Sequence, residues 1–359
     1  MCAVAEFGGA ESSIEIAIPL HRLLVLLQRA GVEFLHELGA DVGTLAQQPL
    51  IVAINDSRDS LVAENQKLRL EMLGILRDAE MKISCLAAKS LPAKEASGVS
   101  SIQETEFRVF SQFGEDGIIQ FLISNIEIPN KTFVEFGVED YAESNTRFLL
   151  INNNWSGLVI DGSQPNVESI KNDAIYWKHD LTALNAFITR DNINSLIASR
   201  FSGDLGLLSI DIDGNDYWIW DSIDVVSPRI VICEYNSVFG SKHCVTIPYS
   251  ADFVRQSAHC SNLYFGASLG ALSMLAERRG YFFVGCNSAG NNAFFVRKDV
   301  IGNLPVVSLE EGYVASKFRE SRDEQNMLTF VSGENRIKLI GAMSVIDLKS
   351  GQTVKLSSL

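Results

Sequence analysis

Two apolar runs in this chain end in clusters of oxygen-bearing side chains. Leu207-Leu-Ser-Ile-Asp-Ile-Asp-Gly-Asn-Asp216 places Asp211, Asp213 and Asp216 around Gly214, and Arg229-Ile-Val-Ile-Cys-Glu-Tyr-Asn236 ends in Glu234 and Asn236. Asp211, Asp213, Glu234 and Asn236 are hard oxygen donors of the kind that bind Mg²⁺ or another divalent cation. Such an ion would hold an acceptor diol and lower the pKa of a hydroxyl. The other reading is that Gly214-Asn215-Asp216 forms a turn and caps a helix starting near Tyr217. The sequence leaves both open. A calcium-binding EF-hand loop does not fit: counted from Asp211, its twelfth position needs Glu and holds Ser222.

Further acids follow other apolar runs. Glu135-Phe-Gly137 follows one, and its glycine lets the backbone turn sharply beside a ligand. Asp161 comes 24 positions after Gly137, a spacing suited to an acid that accepts from both hydroxyls of a ribose. Asp180 falls where an acid could accept from an adenine amino group. Each of these is also an ordinary helix N-cap when taken alone, but one acid per strand end in regular succession points to a nucleoside site. Gly137-Val-Glu-Asp-Tyr-Ala142 is not a GxGxxG turn, and it puts Glu139 and Asp140 where a pyrophosphate would sit. That argues against a nicotinamide-dependent sugar enzyme. It suits a cofactor with a cationic centre and an ammonium group, as in S-adenosylmethionine. His243, in a polar loop after the Glu234 run, is a candidate general base alongside Asp213.

These side chains need strand ends to hold them. The apolar runs Thr132–Phe136, Ser156–Asp161, Ala174–Lys178, Leu207–Ile210 and Arg229–Glu234 predict buried strands, separated by helical segments near 114–123, 145–152, 166–172 and 193–199. A helix over 269–279 leads to a closing hairpin of 281–284 and 293–297. Repeated βα units predict a doubly wound, mostly parallel Rossmann-like α/β sheet, with ligands at the carboxyl ends of its strands.

Ahead of this domain, residues 1–18 are rich in small residues and are expected to fray. A helix is predicted from Pro19 to Gly39, and a longer one over 59–88. In the second, Leu61, Asn65, Leu68, Met72, Ile75, Ala79, Lys82 and Leu86 alternate in steps of four and three. That is a heptad seam able to make a homo-oligomer, or the apolar face of a helix packed on its own domain. Ser90–Ser101 reads as a linker. The expected organisation is a helical, coiled-coil region over 1–95, a linker over 96–104, a catalytic domain over 105–305 and a polar extension over 306–359.

The chain has 359 residues, 47% of them hydrophobic and 21% charged, enough to bury a large core. Its net charge of −14 argues against a nucleic-acid or anionic membrane partner. The six cysteines form no CxxC pair. The first residues carry Glu6, Glu11 and Glu15 where a signal peptide needs basic residues, and no apolar run reaches membrane-spanning length. A cytoplasmic protein with free thiols is expected.

Several ordered motifs carry a resemblance. Ser111-Gln-Phe-Gly-Glu-Asp-Gly117, Phe133-Val-Glu-Phe-Gly137, Glu143-Ser-Asn-Thr146, Trp155-Ser-Gly-Leu-Val-Ile-Asp161 and Ile210-Asp-Ile-Asp-Gly-Asn-Asp-Tyr217 resemble the FkbM-like family of class I S-adenosylmethionine-dependent methyltransferases over about residues 107–300. The resemblance implies methyl transfer to a hydroxyl of a sugar, a glycan or a glycosylated metabolite. Carried over, Glu135 and Gly137 belong to the first cofactor motif, Asp161 is the ribose acid, Asp180 the adenine contact and Asp211 the acid of the fourth strand. Gln112 and Asn145, inside the shared motifs, become cofactor contacts too. The chain departs from the broader pattern in its first loop. Val138, Glu139 and Tyr141 replace further glycines there and narrow the expected pocket, which leaves open a cofactor- or glycan-binding module without turnover.

Overall fold

The computed structural model describes residues 2–7, 14–19, 47–90 and 98–359. Two compact units are distinguished, Met1–Asp78 and Ala79–Leu359. In the first, β1 (Cys2–Phe7) pairs antiparallel with β2 (Ile14–Pro19), where the sequence suggested fraying. The helix expected over 19–39 falls almost wholly outside the described residues. Helix α1 runs from Gln47 to Ser90, past both ends of the predicted 59–88. Among the described residues, no helix is long and apolar enough to cross a membrane.

The larger unit is built on seven strands: β3 (Thr132–Phe136), β4 (Ser156–Asp161), β5 (Leu181–Asn185), β6 (Gly203–Ile210), β7 (Val226–Glu234), β9 (Tyr281–Cys286) and β10 (Asn292–Arg297). Their order is β5-β4-β3-β6-β7-β10-β9. β3 pairs parallel with both β4 and β6, and β4–β5 and β6–β7 are parallel. β10 runs antiparallel between β7 and β9. This is a doubly wound, mostly parallel Rossmann-like α/β sheet. Both faces are buried because residues of opposite parity feed two separate cores. Val134, Leu158, Leu208 and Val231 face one core, and Phe133, Val159, Leu207 and Ile232 the other. That is why the strands read as unbroken apolar runs. The chain winds one way from β3 through β4 to β5, then crosses back to β6. The crevice at the carboxyl ends of β3 and β6 is therefore the topological switch point.

One strand assignment is corrected. Residues 174–178 form a short helix, and the edge strand is β5, which pairs with β4 from Gly157↔Leu181 to Asp161↔Asn185. The Asp173 side chain caps that helix by accepting from the Ile175 N–H at 2.9 Å. Only Ile175 of its five residues is buried, so the run lacks what a strand of this sheet needs.

Residues on either side of the predicted catalytic domain join the same unit. Val99 and Ile102 pack into one core, and Val307, Leu309, Tyr313 and Val314 pack on the other. A three-stranded sheet of β8 (Val245–Thr246), β11 (Ser344–Asp347) and β12 (Gln352–Lys355) encloses a smaller core around Phe239, Ile247 and Val345.

Candidate functional site

A cavity of about 580 Å³ opens at the carboxyl ends of β3, β4, β6 and β7. Its floor is set by a close approach. Gly137, directly after β3, has φ +68°, and a Cβ there would lie 1.8 Å from the Asp211 carbonyl oxygen. The first loop then turns through Glu139 (φ 48°) and Tyr141 (φ 62°), two non-glycine residues in the left-handed region. Tyr141 does not fill the cavity. Its ring is fully buried in the core, and its hydroxyl pairs with Thr146 Oγ1 at 2.9 Å.

Glu135 and Asp161 brace this loop system. Glu135 Oε1 accepts from the Asn145 N–H at 2.9 Å, and Oε2 accepts from the N–H and hydroxyl of Thr146 at 3.1 and 2.5 Å. This pins the segment Glu143–Asn145 on the cavity wall. Burial pushes the Glu135 carboxyl up to about 7 against the pull of those hydrogen bonds. Asp161 Oδ2 accepts from the Glu139 N–H at 2.9 Å, and Oδ1 accepts from the Ser163 N–H and Asn166 Nδ2. The cap of the following helix is Ser163, so Asp161 is not spent as an N-cap. Beyond β5, Ala186, Phe187 and Ile188 complete this side, with Phe187 52% exposed.

The acids after β6 and β7 converge. One carboxylate oxygen each from Asp211, Asp216 and Glu234 lies within 4.8 Å of the others. Burial pushes Asp211 up to about 8, reinforced by Asp213 and Asp216. Burial and then Asp211 push Glu234 well above the usual carboxylate range. Glu234 is 9% exposed, and its Oε2 is buried without a hydrogen-bond partner among the described residues. Asp216 is tied into its own loop: Oδ1 accepts from the Ile212 N–H at 2.9 Å and Oδ2 from the Gly214 N–H at 3.0 Å. Asp213 has φ 55° and is exposed.

A cation that the sequence did not single out faces these acids. Arg255 bonds Asp213, donates from Nε to the Asn262 carbonyl at 2.9 Å and sits 3.8 Å over the Phe265 ring. Among the described residues it is the one basic side chain on the cavity wall. Phe253, Gln256, Asn262, Asn291 and Glu320 line the same side. Arg255, Asn291 and Glu320 follow no strand-end pattern, so periodicity could not have found them.

Of the residues read from the sequence, Gln112, Glu135, Gly137, Asn145, Asp161, Asp211, Asp213 and Glu234 all line the cavity. Three others do not. Asp180 lies just before β5 instead of ending a strand, so it stands at the amino ends of the strands, away from the cavity, where it is exposed and ion-paired with Arg200. Asn236 is buried and used structurally: Nδ2 donates to the carbonyls of Leu263 and Phe265, and Oδ1 accepts from the Val238 N–H. It stands outside the cavity wall and outside the carboxylate cluster. His243 is absent from the wall, and its carbonyl accepts from the Ser268 hydroxyl that caps the helix Leu269–Arg278. The Ser111–Gly117 segment that carries Gln112 is held by buried acids. Asp116 Oδ2 accepts from the N–H groups of Val109, Phe110 and Ser111, and Glu115 Oε1 accepts from Asn287 and Asn292.

No family model matches the chain, and no curated protein matches it. Among solved structures it is similar to an O-methyltransferase from Bacillus cereus in complex with SAH, at 10% identity and TM-score 0.35 over 61% of this chain and 97% of that one. It is also similar to the N-terminal domain of EvdMO1 with SAH bound, at 10% identity and TM-score 0.30 over 46% and 72% of the two chains. A third is the plantazolicin methyltransferase BamL in complex with a triazolic desmethylPZN analog and SAH, at 14% identity and TM-score 0.31 over 58% and 78%.

Proposed function

We propose that this protein is an S-adenosylmethionine-dependent O-methyltransferase of the FkbM-like kind, acting on a hydroxyl of a sugar, a glycan or a glycosylated metabolite. The observation that carries the reading is the acid-walled cavity at the switch point between β3 and β6, with Asp161 free of helix capping on its wall. Its size lies within the range of small-molecule sites. The acidic first loop disfavours a pyrophosphate and favours a cationic cofactor. In this reading Asp161 holds the ribose, Ala186–Ile188 flank the adenine in place of Asp180, and Gln112, Asn145 and the acids of the first loop receive the ammonium end. When bound, the cofactor supplies an electrophilic methyl group on a sulfonium.

The chain's own contribution is placement. Glu135 and Gly137 fix two loops against one another, so the walls need little reorganisation on binding. Gln256, Asn262, Asn291 and Glu320 form a polar side suited to a polyhydroxylated acceptor. Asp213, oriented by Arg255, is the exposed carboxylate positioned to receive the hydrogen of the attacking hydroxyl. The orphaned Glu234 Oε2 and the clustered carboxylate oxygens fit a divalent cation held by Asp211 and Glu234, with Asp216 shaping the loop beneath. The cation would supply Lewis acidity to the acceptor oxygen.

Calorimetric titration with S-adenosylmethionine, with and without Mg²⁺, tests the assignment. Saturable one-to-one binding is expected, followed by methyl transfer to members of a sugar panel. A folded protein that binds neither S-adenosylmethionine nor its demethylated product refutes it. Binding without any transfer would reduce the chain to a cofactor-binding module.

A further inference from the structure

We propose that α1 pairs with α1 of a second copy of this chain as a parallel, in-register, two-stranded coiled coil. The helix spans 44 residues, which at 1.5 Å per residue is about 66 Å. Leu61, Leu68, Met72, Ile75 and Leu86 on its seam are 50–69% exposed in the single chain. Asn65, Ala79 and Lys82 on the same seam are exposed as well. An apolar stripe left exposed along a helix of this length is suited to a partner helix.

The steps along the seam fix the heptad positions. Leu61, Leu68, Ile75 and Lys82 are at d; Asn65, Met72, Ala79 and Leu86 are at a. Asn65 is the one amide on the seam. Across a parallel, in-register pair it meets Asn65 of the partner subunit and the two amides hydrogen-bond; a one-heptad slip separates them, setting one against Met72 and the other against Arg58. Lys82 can run its stem along the seam and keep its ammonium in water.

Flanking charges decide the direction. Glu64 and Glu71 are at g, and Arg69 is at e; all are exposed. In a parallel pair, g faces e of the next heptad, so Glu64 meets Arg69 of the partner subunit, twice by symmetry. In an antiparallel pair g faces g, which brings acid against acid. The apolar e residues Leu76 and Ile83, 58% and 67% exposed, lie beside the seam and extend the area covered in the parallel pair.

The test uses the full chain. Sedimentation equilibrium should give a dimer at micromolar concentration. Arg69→Glu should weaken it by about tenfold, since two attractive contacts become repulsive, and Glu64→Arg together with Arg69→Glu should restore it to within about twofold. Recovery in the charge-swapped chain also shows that the single variant failed through pairing and not through misfolding. Leu61→Cys should give, on mild oxidation, a 61–61 disulfide identified by peptide mass spectrometry, because d positions face each other only in a parallel pair. A monomer, a trimer, a seam covered by the chain's own residues in a monomer, or a charge swap without recovery would overturn the proposal.

Discussion

Replacing Gly137 by alanine probes the contact on which the site is built. Two costs follow from the geometry. The residue must keep φ at +68°, which for an L side chain costs about 1–2 kcal/mol. The added Cβ would also sit 1.8 Å from the Asp211 carbonyl oxygen, and real Cβ contacts essentially never fall below 3.0 Å, so the two loops must part by at least 1.2 Å. The Cβ position is fixed by the backbone and its neighbour is a backbone oxygen, so no rotamer relieves the clash. Together these give a destabilisation of roughly 3–5 kcal/mol. The displaced groups are Asp211 and, through the first loop, the Glu139 N–H that Asp161 accepts. A misplacement of this size should cost roughly 100-fold in turnover and about tenfold or more in cofactor affinity. Urea denaturation and calorimetry with S-adenosylhomocysteine measure the two effects. Gly280→Ala is the control, because its φ is +84° with nothing within 4 Å of the added Cβ, so it carries only the dihedral cost. If the two variants were equal in stability and in affinity, the claim that these loops meet as a rigid cradle would be wrong.

Asp161→Ala should lower affinity for S-adenosylhomocysteine by about tenfold or more while the melting temperature falls only modestly, since the carboxylate holds loop N–H groups and no core; unchanged affinity in a folded variant removes it from the site. Glu135 has a folded-state pKa of about 7 against an ordinary 4.5, so the native state keeps a proton that the unfolded chain releases. Its contribution is therefore full below about pH 4.5, is lost as the pH rises towards 7, and amounts to about 3 kcal/mol. Glu135→Gln should be less stable at low pH yet lose that much less between pH 4.5 and 8 in urea titrations; parallel curves for the two proteins would refute the assignment. If Asp211 and Glu234 hold a divalent cation, Mg²⁺ should raise the melting temperature of the wild type and not of Glu234→Gln, and chelation should slow methyl transfer. Equal Mg²⁺ shifts in both proteins would place the ion elsewhere. Arg255→Met should weaken acceptor use more than cofactor binding, as a KM increase, because the guanidinium orients Asp213 on the acceptor side.

The local sequence determined what depends on near neighbours along the chain. A buried strand needs an unbroken apolar run, so β3, β4, β6 and β7 were legible, and an acid just after such a run must stand at a strand end. That put Glu135, Asp161, Asp211 and Glu234 within one crevice once the strands proved parallel. The same logic failed where the run was ambiguous. Five residues at 174–178 fit a strand or a helix equally well by composition, and the Asp173 cap settled them as helix, which moved Asp180 from the end of a strand to its beginning. Asn236 had the right chemistry at the right strand end, yet its amide is engaged by two distant carbonyls and by the nearby Val238 N–H. Arg255, Asn291 and Glu320 reach the cavity from segments whose residue types carry no periodic signal. Their placement follows from long-range packing, which decides what faces a strand end; the sequence near that strand decides only that something charged can stand there.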